Sequence, residues 1–78
     1  MNNGIFNVRF FRKSNYRRGW AQFGHITTDA PKSKAIQLSV ETAKDAARDY
    51  GRVLVIIKKD DRRYKEGERL IYKKSIAA

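Results

Sequence analysis

The feature that most constrains the fold of this chain is a period-two alternation of apolar and polar residues near its start. In IFNVRFFR, residues 5–12, one face of an extended chain carries Phe6, Val8 and Phe10. The opposite face carries Asn7, Arg9, Phe11 and Lys13. Alternation of this kind with β-forming residues predicts a half-buried strand, so the chain is expected to build a sheet with one apolar face.

Two further segments extend this sheet. Lys13 to Gly19 is polar, basic and ends in glycine, which predicts a hairpin loop, and Trp20 to Thr28 predicts the second strand. The sequence does not decide which face of the second strand is buried. Asp29 to Ser33 holds the only proline and predicts a turn, and Ala35 to Val40 alternates again as a third strand. The sequence therefore predicts an antiparallel three-stranded meander.

A short helix is predicted to follow the meander. Thr42 has the character of an N-cap, Asp45 stands where a capping-box acid would, and Gly51 provides the C-terminal stop. Between them, alanines at helical spacing predict close packing on the sheet. A helix between strands also permits a parallel crossover.

The remaining segments predict strands and a charged loop. The continuous apolar run VLVII, residues 53–57, predicts a central strand, and KKDDRRYKEGE, residues 58–68, a highly charged loop. Arg69 to Ile76 predicts a last, edge strand protected by lysines. We expect one small α+β domain with the order β-β-β-α-β-β.

Length and composition argue against disulfides, thiolate metal sites and membrane segments in this domain. The chain has 78 residues and no cysteine, so neither a disulfide nor a thiolate metal site is expected. No apolar run approaches the ~20 residues that span a bilayer, and the start shows no signal-peptide pattern. These observations predict a soluble cytoplasmic or nuclear domain.

Positive charge is unevenly distributed along the chain. The net charge of +10 divides into +6 for residues 1–34, −1 for residues 35–51 and +5 for residues 52–78. The bases thus fall on predicted strands and loops, whereas the predicted helix is acidic. Such a balance favours nucleic acid as the partner, with an acidic protein surface second and an anionic membrane third.

Catalytic and metal chemistry find little support in the sequence. His25 is the only histidine, and a structural role is expected for it because no partner for a general base is indicated. Bases on both sides of Asp60 and Asp61 would repel a cation, so a solvated turn is expected there. We predict no enzyme activity, no cofactor and no metal site.

The first predicted hairpin interleaves aromatic and basic residues, which is typical of nucleic-acid contacts. Arginine and lysine bind phosphates, tyrosine and tryptophan stack on bases, and a two-stranded ribbon fits the major groove of B-DNA. The candidate contacts are Arg9, Arg12, Lys13, Tyr16, Arg17, Arg18, Trp20 and Gln22. Asn7, Phe11 and Gln37 are expected beside them on the solvent face. The alternative is that Phe11 and Trp20 belong to the core and the arginines only solvate the fold.

A second basic cluster lies in the predicted charged loop. Its candidate contacts are Lys58, Lys59, Arg62, Arg63 and Lys65. This cluster is expected to clamp phosphates next to the first hairpin, and a solvated loop is the equal alternative because four acids lie close by.

Part of the chain resembles a known class of domain. Trp20-Ala21-Gln22 opens a strand and TAKDAARDY, residues 42–50, follows a further turn and strand. This stretch, Gly19 to Tyr50, resembles AP2-type DNA-binding domains and the arm-type DNA-binding domains of tyrosine recombinases of phages and transposons. Both are three-stranded sheets that pack on one helix and enter the major groove. The resemblance implies duplex DNA as partner and sheet-face contacts from Arg9, Arg12, Arg18, Trp20 and Gln22, although strands after Val53 have no counterpart in those domains.

Two functions follow from the sequence. The first is a small non-enzymatic protein that binds nucleic acid, DNA in preference to RNA, with its basic hairpin and sheet face. The second is an effector of the phage or mobile-element type that binds an acidic protein, with exposed aromatics as anchors and the last strand as an edge for pairing.

Overall fold

One helix packs against one face of a four-stranded antiparallel sheet in this protein. The computed structural model describes residues 4–13 and 19–78. The elements in chain order are β1 Phe6–Lys13, β2 Trp20–Thr28, α1 Lys32–Tyr50, β3 Arg52–Asp60 and β4 Glu68–Ala77. The sheet order is β2-β1-β3-β4, so β2 and β4 are the edges. The predicted α+β class, with a helix on an antiparallel sheet and an edge strand near the end, is confirmed.

The helix joins two strands that run in the same direction. Both β2 and β3 pair antiparallel with β1, which lies between them. They are therefore parallel to each other, and α1 crosses the sheet face to connect them. The parallel crossover that the sequence permitted is present, with one strand inserted between its two ends.

The core lies between α1 and the apolar face of the sheet. As predicted, Phe6, Val8 and Phe10 of β1 are buried, and Val55 of β3, which pairs with Phe10, is fully buried. The other sheet residues of this core are Val53, Ile57 and Ile76. The facing stripe of α1 holds only small residues: Ala35, Ser39, Ala43 and Ala47. Small side chains let the helix approach the strands closely, and this fits the predicted alanine-lined contact.

The predicted third strand, Ala35 to Val40, is wrong because these residues form the first half of α1. Their apolar residues fit both the two-residue period of a strand and the spacing of one helix face. Ile36 and Val40 lie four residues apart, so they share a helix face and both pack against the core, whereas Leu38 between them is 48% exposed. The order is consequently β-β-α-β-β, and no meander forms.

The helix begins earlier than predicted. Pro31 occupies the N-cap position with φ −56°, and the amide of Ala35 donates to its carbonyl over 2.9 Å. Proline is well suited to a helix start because its φ is already helical and it has no amide hydrogen to leave unpaired. Thr42 is not a cap: its hydroxyl donates to the carbonyl of Leu38 in mid-helix. Gly51, with φ +82°, ends the helix as predicted.

Each edge strand contains one bulge. The pairing of β2 with β1 shifts at Phe23, and the pairing of β4 with β3 shifts at Ile71. A bulged residue reverses the parity of the strand that follows it. The Phe23 bulge explains why no single alternation fits Trp20 to Thr28.

Candidate functional site

The sheet face opposite α1 carries most of the side chains that the sequence singled out. Alternation from the buried positions, corrected at the two bulges, assigns four residues each of β1 and β2 and five each of β3 and β4 to this face, which we call the open sheet face. They are Asn7, Arg9, Phe11 and Lys13 of β1, Trp20, Gln22, His25 and Thr27 of β2, Arg52, Leu54, Ile56, Lys58 and Asp60 of β3, and Glu68, Leu70, Lys73, Ser75 and Ala77 of β4. None of the described elements covers this face.

Cross-strand pairing arranges these residues in rows. One row runs Gln22, Phe11, Leu54 and Ser75, and the next runs His25, Arg9, Ile56 and Lys73. A third row runs Thr27, Asn7, Lys58 and Leu70. Aromatic and aliphatic groups thus occupy the middle of the face, with cations beside them, and the residues in the middle are only half-buried.

A charged network crosses three strands of this face. Arg9 donates to both carboxylate oxygens of Glu68, at 3.3 and 3.4 Å, and Asn7 donates to the same carboxylate at 2.8 Å. Partial burial by itself would raise the pKa of Glu68, but the hydrogen bonds from Arg9 and Asn7 outweigh it and hold this pKa below its ordinary value of 4.5. Glu68 therefore stays ionised at neutral pH and neutralises Arg9.

Other cations of the face are paired more weakly. The ammonium of Lys13 lies 5.4 Å from the centroid of the Trp20 ring, a cation–π contact at the end of the first hairpin. Arg52 donates to the hydroxyl of Ser75 over 3.1 Å. Neither contact cancels a positive charge, so these two side chains keep their full attraction for an anion.

The β3–β4 loop is held by its own hydrogen bonds. Asp61 accepts from the Tyr64 amide through its carbonyl, and its carboxylate takes three further bonds from Arg63 at 2.9–3.1 Å. The Arg63 side chain and amide hold the pKa of Asp61 at about 2, below its ordinary 3.8. Gly67, with φ +74°, donates to the Tyr64 carbonyl and closes the loop. The backbone of Tyr64 is thereby fixed at both its amide and its carbonyl.

A depression of about 420 Å³ lies where this loop meets the open sheet face. Its sheet side consists of Ile56 and Leu70 with Lys58, Glu68 and Lys73, and its loop side carries Tyr64 and Glu66. Register pairs Ile56 with Lys73 and Lys58 with Leu70, so aliphatic and cationic groups alternate across the two strands. Tyr64 is 48% and Leu70 54% exposed, which leaves both accessible.

A second depression of similar volume lies on the solvent side of α1. Side chains of both signs line it, and Arg48 and Asp45 within it form an exposed ion pair at 3.5 Å. Charges of opposite sign cancel here, and no aromatic side chain takes part. The helix side therefore offers a much poorer anion site than the open sheet face does.

The structure divides the predicted contact residues into four groups. Arg9, Lys13, Trp20, Gln22 and Lys58 share the open sheet face. Arg12 and Lys59 point to the helix side, where Arg12 lies over the Tyr50 ring and Lys59 over the Phe6 ring. Arg62, Arg63 and Lys65 are exposed in the β3–β4 loop. Tyr16, Arg17 and Arg18 lie outside the described residues.

The two basic clusters adjoin where Lys58 and Lys59 of β3 pair with Asn7 and Phe6 of β1, but the β3–β4 loop lies at one end of β1 and Lys13 at the other. Phe6 pairs with Lys59 at one end of β1, and Arg12 pairs with Val53 at the other. The β3–β4 loop follows Asp60, whereas the β1–β2 connection follows Lys13, so the two loops leave opposite ends of the sheet. Eight residues of strand separate them, about 26 Å at ~3.3 Å per residue.

Two further expectations change with the fold. Gln37 lies on α1, where it donates to Glu41, and is not on the sheet face. The helix is not acidic either: because it begins at Lys32, it holds four bases against three acids. Counted from its observed start, the helix is therefore nearly neutral and not acidic.

Sequence reasoning missed several residues of this surface. Arg52 and Lys73 were counted as charges but not assigned to the site, and Tyr64 and Leu70 were not connected with each other. Alternation from Val53, Val55 and Ile57 would have placed Arg52 opposite the core. No sequence signal pairs Leu70 with Lys58, because the Ile71 bulge sets that register.

The residues considered for catalysis are dispersed or already bonded. His25 is exposed on the open sheet face, 3.5 Å from the hydroxyl of Thr27. Asp60 accepts from Asn7, and Asp61 is bound to Arg63. Across residues 4–13 and 19–78, no group of three potential ligands among His, Asp and Glu could hold a metal ion. No helix in these same ranges is long and apolar enough to cross a membrane.

Comparison with known proteins adds no relative to this description. No family model, no curated protein and no solved structure matches the chain. The resemblance to AP2-type and arm-type DNA-binding domains stays a prediction.

Proposed function

We propose that this protein is a non-enzymatic nucleic-acid-binding domain whose contact surface is the open sheet face with the adjoining β1–β2 hairpin. The observation that carries the proposal is the coincidence on one uncovered face of half-buried aromatics, Phe11 and Trp20, with cationic side chains. Stacking on aromatic rings and charge neutralisation by lysine and arginine are the two interactions that nucleic acids offer to a sheet.

The charge of the face supports a polyanionic partner. Five of its residues are cations: Arg9, Lys13, Arg52, Lys58 and Lys73. The acids near them, Asp60 and Glu68, are engaged by Asn7 and Arg9. An approaching phosphate therefore meets an excess of positive charge, with the two carboxylates already hydrogen-bonded.

Duplex DNA is the form we propose for the hairpin end. Four strands at ~4.8 Å spacing make a sheet about 14 Å across, wider than the major groove of ~12 Å. A two-stranded ribbon is narrow enough to enter. In this arrangement the β1–β2 hairpin reaches into the groove and the cations of β3 and β4 rest on the flanking backbone.

Affinity measured against salt tests the proposal. We expect log affinity for a random-sequence duplex to fall linearly with log salt, with a slope of about −0.9 for each phosphate contacted. Lys13→Ala should flatten this slope by about 0.9, and Lys44→Ala, which removes an exposed lysine from α1, should leave it unchanged. Equal slopes in the two variants would remove the open sheet face from the interface.

An acidic protein is the second candidate partner. It is favoured by the aliphatic half of the same face, where Leu54 and Ile56 are half-buried and Leu70 is exposed. Capture from a lysate before and after nuclease treatment separates the two functions. If a protein is still captured after nuclease treatment and no duplex binds at ~100 mM salt, the result favours this second function.

A further inference from the structure

The depression beside Tyr64 has the size and chemistry of a site for a single nucleotide. Its volume of about 420 Å³ lies within the ~300–1,000 Å³ usual for small-molecule sites. The aromatic ring of Tyr64 and the aliphatic side chains of Ile56 and Leu70 line it. A planar base between a ring and an aliphatic surface is the arrangement by which proteins hold unstacked bases.

The charged groups of the depression match the rest of a nucleotide. Lys58 and Lys73 lie diagonally across β3 and β4, where Lys58 pairs with Leu70 and Lys73 with Ile56. Two cations that line one depression suit a phosphate, and the carboxylate of Glu68, which also lines it, is already bonded to Arg9 and Asn7. Glu66 makes no ion pair with the described residues, so its carboxylate is available to N–H groups on the edge of a base.

The loop holds Tyr64 ready for this contact. Hydrogen bonds from the Tyr64 amide to Asp61 and from Gly67 to the Tyr64 carbonyl fix its backbone, and Arg63 fixes Asp61. An ordered backbone reduces the entropy that the loop loses when the Tyr64 ring stacks on a base.

We infer that this depression binds one unpaired nucleotide, with its base between Tyr64 and Leu70 and its phosphate between Lys58 and Lys73. The inference deepens the proposed function and rests on it. Bases inside a duplex are stacked and paired, so the site takes a nucleotide from a single strand or from an unpaired duplex end. Guanine is the base we expect to fit best, since its Watson–Crick edge offers two adjacent N–H donors to the Glu66 carboxylate.

The experiment is an NMR amide titration with dGMP and, separately, with deoxyribose 5-phosphate, which has the phosphate but no base. We expect dGMP to shift the amides of Tyr64, Leu70 and Lys73 saturably, and the sugar phosphate to bind at least about fivefold more weakly, since one stacked base contributes ~1–3 kcal/mol. Equal affinity for the two probes, or shifts elsewhere only, would overturn the inference.

Three variants locate the effect. Tyr64→Ala should weaken dGMP binding by at least about fivefold, whereas Tyr64→Phe should keep it because the ring remains. Tyr50→Ala is the matched control: Tyr50 is 45% exposed, close to Tyr64 at 48%, but it lies on the helix side. Equal losses in Tyr64→Ala and Tyr50→Ala would overturn the site, and a thermal melt confirms that each variant folds.

Failure of this inference is distinguishable from failure of the proposed function. Salt-dependent duplex binding without a nucleotide response at Tyr64 would leave the function and remove the pocket. A nucleotide response at Tyr64 without binding of any DNA strand or duplex would show a nucleotide site and remove the proposed function.

Discussion

The two hairpins of this protein share a topology and differ in how their charges are distributed. Each consists of two antiparallel strands, and each has one bulge in its edge strand. The β1–β2 hairpin has no acid between Gly4 and Thr28, whereas the β3–β4 hairpin carries four: Asp60, Asp61, Glu66 and Glu68. One hairpin is uniformly cationic, and the other neutralises part of its own charge and part of its neighbour's.

The difference shows that two basic clusters can differ in how many of their cations are already paired with carboxylates. In the second hairpin Asp61 binds Arg63, and Glu68 reaches across β3 to bind Arg9 of the first. Arginines that are already paired give less to a phosphate, because the new contact replaces an existing one. We therefore expect the first hairpin to dominate binding of an extended polyanion, and the second to contribute the shaped pocket beside Tyr64.

The largest expected effect concerns the inner face of the first hairpin. Phe10 is 3% exposed between α1 and the sheet, and its ring lies 6.2 Å from that of Phe23. Phe10→Ala should lower the free energy of unfolding by about 3–5 kcal/mol, most of the stability of so small a domain. Leu70→Ala, on the outer face of the second hairpin, should change it by about 0.5 kcal/mol or less. Urea denaturation measures both, and a similar loss in the two variants would contradict the assignment of faces.

Next in size is the loss of charge at the two loops. Replacing Arg17 and Arg18 together by alanine should weaken duplex binding by about tenfold and flatten the salt slope by about 1.8, because two cations are removed. Arg62→Ala with Arg63→Ala is the matched double variant. It should cost less, since Arg63 is already paired with Asp61. Fluorescence anisotropy at several salt concentrations makes the comparison, and the reverse order of effects would assign binding to the second hairpin.

A smaller effect, a gain in affinity for a duplex, is expected when the ion pair between Arg9 and Glu68 is removed. Glu68→Gln removes the charge that neutralises Arg9, so affinity for a duplex should rise about threefold and the salt slope should steepen by about 0.9. Glu41→Gln changes a carboxylate on α1 that accepts only from Gln37 and should have no such effect. An unchanged slope for Glu68→Gln would mean that Arg9 contacts no phosphate.

The smallest effect is a pH-dependent change in the β3–β4 loop. The pKa of Asp61 is lowered to about 2 from 3.8, so its ionised form favours the folded loop. That contribution is complete above about pH 4 and is lost as pH falls through 2. NMR titration of the Asp61 carboxyl carbon should give a midpoint near 2, and Arg63→Ala should return it toward 3.8. A midpoint unaffected by this variant would exclude Arg63 as the cause.

The accuracy of the sequence predictions follows the number of residues that carry each signal. The alternation of β1 and the apolar run of β3 each extend over several residues. Both strands were predicted, and for β1 the buried face was predicted correctly as well. The segment 35–40 carried four apolar residues, Ala35, Ile36, Leu38 and Val40, and the spacing of Ile36 and Val40 is common to strand and helix. The local signals that favour the helix are Pro31 before it and the four-residue spacing of small residues from Ala35 to Ala47, and the sequence prediction did not use them.

The site was predicted in part for the same reason. Arg9, Lys13, Trp20, Gln22 and Lys58 do share a face, because strand alternation is a local property. The inward position of Arg12 and Lys59 is also a matter of parity, but there the expectation followed charge and ignored alternation. The distance between the two basic loops depends on the order in which strands pair, which no local pattern encodes.

Local patterns in the sequence were enough to determine an α+β domain with a basic, aromatic hairpin and a helix lined by alanines. Alternation, glycine stops and charge are set by neighbouring residues, so they can be read without the fold. Tertiary structure alone decided that β3 lies beside β1, that Glu68 meets Arg9, and that Tyr64 lines one depression together with Leu70 and Lys73. Those contacts join residues that are distant in the chain, and burial of a common apolar face under α1 selects the pairing that creates them.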